Sequence, residues 1–75
     1  MKFLDGRNPH KNPKVIEIEN PTMKRIGDQL YLLILDGKYV PCVHVPHVNS
    51  EDRWILCGEY RSMKGVNGWR EKHGY

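Results

Sequence analysis

Gln29-Leu30-Tyr31-Leu32-Leu33-Ile34-Leu35-Asp36-Gly37-Lys38-Tyr39-Val40-Pro41-Cys42-Val43-His44-Val45 decides the architecture of this chain. Two apolar runs flank Asp36-Gly37. A type I′ turn needs positive φ at both central residues, and Asp-Gly supplies them at low cost. A two-residue loop also sets the register. Leu35 falls opposite Lys38, Leu33 opposite Val40, Tyr31 opposite Cys42 and Gln29 opposite His44 on one face. Ile34 with Tyr39, Leu32 with Pro41 and Leu30 with Val43 share the other face, which is wholly apolar and is the expected core. Pro41 has no N–H, so its strand is expected to be an edge there or to be bulged.

Working outward from the hairpin, the same alternation recurs. Lys14-Val15-Ile16-Glu17-Ile18-Glu19 puts Ile16 and Ile18 on one side and Glu17 and Glu19 on the other, the period of a half-buried strand that Asn20-Pro21 ends. Two readings of Thr22–Ile26 stand. Asn20, Pro21 and Gly27 would frame one helical turn; Gly27-Asp28 would instead close a hairpin with Thr22–Ile26 as a strand. The neighbouring strands and the lack of alanine favour the strand. Pro46–Asp52 reads as a polar loop, and Trp54–Tyr60 resumes strand character with a bend or bulge at Gly58. Residues 1–13 read as an extended lead-in rich in Asn, Pro and Gly, residues 14–60 as the β core, and 61–75 as a basic, Gly-containing C-terminal segment. Asn67-Gly68 offers a short terminal turn there.

Composition supports this reading. The 75 residues contain no alanine but have seven Gly and five Pro, and Gly and Pro cost about 1 and 3 kcal/mol in a helix interior. Helix bundles are excluded on that basis. The expected fold is one small all-β or β-rich domain with at most a short helical turn. Its four to five strands would form an antiparallel meander curled into an open sheet or an SH3- or OB-like barrel. No stretch has the roughly 20 apolar residues that span a bilayer. Met1-Lys2-Phe3-Leu4 meets Asp5-Gly6-Arg7-Asn8-Pro9 at once without an export signal, so a cytoplasmic location and no membrane partner are expected.

The side chains that could do chemistry are few. Cys42, His44, His47 and Cys57 form a C-x-H-x2-H-x9-C set. Two thiolates and two imidazoles can hold zinc, but one residue between Cys42 and His44 departs from the usual paired spacing. The cysteines read as reduced, packed thiols, and no metal or cofactor is expected. Their apolar neighbours Val40, Val43, Ile55 and Leu56 also argue against a reactive thiolate. No nucleophile elbow surrounds Ser50 or Ser62, and no glycine loop precedes a helix that could hold phosphate. A sheet of this size is expected to offer little room for a ligand cavity of about 300 Å³. An enzyme with a small-molecule substrate is therefore not expected.

The C-terminal segment carries the functional expectation. The chain's net charge is +3, and residues 61–75 hold Arg61, Lys64, Arg70 and Lys72 against Glu71 alone. Trp69 lies among Gly, Asn, Arg and Glu, with no apolar periodicity to explain it. Trp, Tyr and Arg are the residue types that dominate protein interfaces. The segment is thus the expected contact surface of a non-enzymatic protein-binding module, formed by Arg61, Lys64, Trp69, Arg70, Lys72 and Tyr75. Such a module would act as a small regulator or inhibitor on a larger macromolecular machine, a type common in phages and mobile elements. The alternative is a small DNA- or RNA-binding β domain, with the same cations on phosphates and the aromatic rings on bases.

Overall fold

A computed structural model describes residues 1–46 and 53–75. In chain order the elements are β1 (Lys2–Asp5), β2 (Lys14–Glu17), β3 (Thr22–Gly27), β4 (Leu30–Leu35), β5 (Lys38–Val45), β6 (Arg53–Leu56) and α1 (Met63–His73). The strands form one sheet in the order β2-β1-β6-β5-β4-β3. From β3 to β6 it is the expected antiparallel meander. The β1–β2 hairpin adds two further strands through a parallel β1–β6 pairing. The sheet is therefore mixed and six-stranded, curled but open at β2 and β3, and not a closed barrel.

The central hairpin has the expected register at every pair, from Leu35–Lys38 to Leu30–Val43. Asp36 and Gly37 take φ of 52° and 73°, as the turn requires. Thr22–Gly27 is a strand, but its turn lies one residue later than expected. Gly27 pairs with Leu30 across Asp28-Gln29, and a register shift between Arg25 and Gly27 bulges Ile26 out of the ladder.

Pro41 lies in a central strand, not at an edge. Its neighbours show how the ladder tolerates it. Tyr39 exchanges two 2.8 Å backbone hydrogen bonds with Tyr60, whereas the β6 ladder runs from Val45–Arg53 to Cys42–Leu56. Between these pairings the β6 side holds one residue more than β5. The missing N–H thus faces a bulge, so the expected irregularity falls on the neighbouring β6 side.

The principal core lies on the opposite face of the hairpin from the one expected. Phe3, Leu33, Val40, Cys42 and Leu56 form the buried cluster, with Ile16, Ile18, Met23, Tyr31, Leu35 and Trp54 against it. Residues from both outer strands reach this cluster because the sheet curls around it. Residues 1–13 are accordingly more than a lead-in, since Phe3 of β1 is 1% exposed. The other face buries Leu30, Leu32, Pro41 and Val43 beneath α1, whose Val66 is fully buried. That second layer replaces the expected irregular C-terminus.

Local propensity argues against α1, and packing overrides it. Gly65 lies where a Cβ would come within 2.8 Å of the Tyr60 ring, and a Cβ on Gly58 would come within 2.9 Å of the same ring. The two glycines therefore let Tyr60 wedge between the strand end and the helix start. At the other end Gly74 takes φ 75°. Tyr75 N–H donates to Arg70 C=O at 2.8 Å and Gly74 N–H to Glu71 C=O at 3.4 Å, a Schellman cap. Arg70, Lys72 and His73 in the last turn complement the negative end of the helix dipole.

Candidate functional site

The helix crosses the sheet without covering all of its second face. Between α1 and the β3 edge runs a groove of about 440 Å³. Ile26, Leu32, Ile34 and Met63 give it apolar walls, and Lys24 and Arg70 add two cations without a lining carboxylate among the described residues. The hairpin register explains Ile34. It shares the face of Leu30 and Leu32, yet it lies beyond the helix and is 37% exposed.

The six predicted contact residues separate into two groups. Arg61, Lys64 and Lys72 are exposed on the outward side of the segment. Arg70 is half-buried and turns toward the sheet, with its guanidinium 3.4 Å from where a Gly27 Cβ would lie. It also donates from Nε and Nη2 to the Tyr75 main-chain oxygen at 3.4 and 3.3 Å. Trp69 is partly buried. Its indole stacks on Tyr75 at 5.2 Å and 7° and tilts against His73 at 5.3 Å, which explains much of a tryptophan that no sequence periodicity accounted for. Lys24, Ile34 and Met63 are among the groove residues that the sequence did not point to. Only the packing of α1 across the sheet, against β5, brings them together.

A second cleft, of about 690 Å³, opens where β1 leads into the segment before β2. It is polar, and its Asp5, Arg7 and Glu59 side chains are paired. Arg7 donates Nε and Nη2 to the two Asp5 carboxylate oxygens at 2.8 Å each, while Glu59 lies 3.8 Å from Arg7 and 3.5 Å from Lys38. The Arg7 hydrogen bond holds the Asp5 carboxyl below its ordinary pKa. This network ties β1 to the β5 turn and the Glu59 bulge. Both clefts exceed the volume expected of so small a sheet, so the expectation of little cavity space is corrected.

Of the candidate metal set, His47 lies outside the described residues. Cys42 is buried, and burial pushes its thiol pKa up to about 12; burial raises that of Cys57 as well. His44 stacks on Trp54 at 4.0 Å and 13°, with Tyr31 edge-on to the indole at 4.8 Å. Among the described residues no three His, Cys, Asp or Glu side chains converge as metal ligands. No described helix is long and apolar enough to cross a membrane. Comparison with protein-family models, curated proteins and solved structures finds no match.

Proposed function

We propose that this chain is a non-enzymatic protein-binding module whose contact surface is the groove between α1 and β3, extended by the C-terminal segment. The carrying observation is the groove itself, an apolar channel of about 440 Å³ at a sheet edge with Ile34 partly open to solvent. A partner side chain seated there would bury Ile34 and Met63 between a strand and a helix. Well-packed anchors of this kind are commonly worth about 2 kcal/mol or more at an interface centre. Tyr75 and Trp69 add stacked aromatic area at the end of α1.

The test is differential capture from a cell extract. Tagged native protein is compared with Ile34→Glu and with Val15→Glu. Val15 is 67% exposed on the same face but on the far edge strand β2. A protein retained by the native chain and by Val15→Glu, but lost from Ile34→Glu, supports the groove. Equal capture by all three contradicts it.

A nucleic-acid reading draws on one observation, that Arg61, Lys64 and Lys72 are all exposed on the outward side of the segment. Titration with single- and double-stranded oligonucleotides at two salt concentrations tests it. Micromolar affinity that falls steeply with salt supports that reading, and its absence leaves the protein-binding one.

A further inference from the structure

We infer that the groove receives an extended acidic segment of a partner protein, added to β3 as a seventh strand. This rests on the groove being the contact surface and names what enters it. The first observation is topological. β3 is an edge strand of six residues, while the opposite edge, β2, has four. An edge strand presents a row of backbone N–H and C=O groups ready to pair with another chain. Four of the six residues of β3 belong to the wall of the groove. A strand laid along β3, about 4.8 Å away, therefore directs every second side chain along the groove's outer lip.

The second observation is charge. Among the described residues, Lys24 and Arg70 line the groove and no carboxylate does. The nearby acid Asp28 is 3.4 Å from Arg25, on β3 itself. The edge thus has two adjacent cations, Lys24 and Arg25. Pairing β3 with β3 of a second copy would set these like charges close together, which destabilises a strand pair. An acidic strand reverses that sign. Its carboxylate would lie opposite Lys24, within reach of Arg70, and an apolar residue two positions away would lie opposite Thr22, on the far side of β3 from Ile34 and along the groove's outer lip. In β4 the partner of Thr22 is Ile34 itself, so this placement follows from the register.

Selection from a random library of linear heptapeptides, with affinities then measured for the most enriched peptides, tests the inference. The expected winners carry Asp or Glu, with Val, Ile or Tyr two positions away. Their affinity should fall at least tenfold for Lys24→Glu, whose site is an exposed side chain, with the melting temperature unchanged. N-methylation of alternate peptide nitrogens should abolish binding in one register and spare it in the other, since only one set of N–H groups faces β3. Neutral or basic winners, or none, would overturn the acidic assignment. Loss of binding with Ile34→Glu but not with Lys24→Glu would keep the groove and overturn the acidic partner. Indifference to both would remove the groove reading itself. Equal tolerance of N-methylation in both registers would overturn strand addition. A concentration-dependent dimer that the peptides dissociate would make a second copy the occupant instead.

Discussion

Two glycines in α1 have opposite structural roles, and replacing each with alanine tests the seating of the helix. A Cβ on Gly68 meets nothing within 4 Å, whereas one on Gly65 would meet Tyr60 Cδ1 at 2.8 Å and both Cβ and Cγ at 3.1 Å. Alanine favours a helix interior by about 1 kcal/mol over glycine. Gly68→Ala therefore receives that gain undiminished, raising the melting temperature by roughly 4–8 °C in a domain this small. Gly65→Ala receives the same gain but must displace the Tyr60 ring. The ring cannot retreat freely, because Gly58 lies against its other side at a spacing that leaves no room for a Cβ. Overpacking typically costs about 1–3 kcal/mol, so the net change at Gly65 is a loss of up to about 2 kcal/mol. Thermal and urea unfolding followed by circular dichroism measures both variants. Equal stabilisation by the two substitutions would refute the packing of α1 on Tyr60.

Three further outcomes follow from the same geometry. Gly37→Val, at φ 73°, should destabilise the hairpin by about 1–2 kcal/mol because a β-branched residue resists the left-handed region; an unchanged urea midpoint would contradict the turn. The Cys42 thiol pKa rises from 9.0 to about 12 on burial, so its contribution is fully present below pH 9 and is lost as the pH rises toward 12. Cys42→Ala should accordingly show a shallower decline of melting temperature across that window, and an identical slope would contradict the burial. Excess chelator should leave the melting temperature unchanged; a collapse accompanied by one zinc per chain would make Cys42, His44, His47 and Cys57 ligands.

The strand meander was legible because its signals are local. Asp36-Gly37 sets a turn whose geometry determines the register, and alternation marks the strands on either side. Which face forms the main core was not legible in the hairpin alone, because both faces of β4 and β5 are apolar. Phe3 and Leu56 settle that question from β1 and β6, by a parallel pairing that no local pattern announces. Helix α1 was hidden for a different reason. Its glycines read as breakers, yet Gly65 is there to admit Tyr60 and Gly74 to cap the helix. The contact residues divide the same way. The basic and aromatic character of residues 61–75 is visible in the sequence, but Lys24, Ile34 and Met63 become neighbours only when the helix lies across the sheet. Arg70 belongs to both sets. Its charge marks it in the sequence, and the fold turns it inward to line the groove.

The most direct test of the groove as contact surface is amide chemical-shift mapping of the labelled protein with the most enriched peptide. The account predicts shifts concentrated at Thr22–Gly27 of β3 and at Met63 and Arg70 of α1, with Lys14–Glu17 of β2 unmoved. Shifts confined to β2, or to the outward residues Arg61, Lys64 and Lys72, would contradict it.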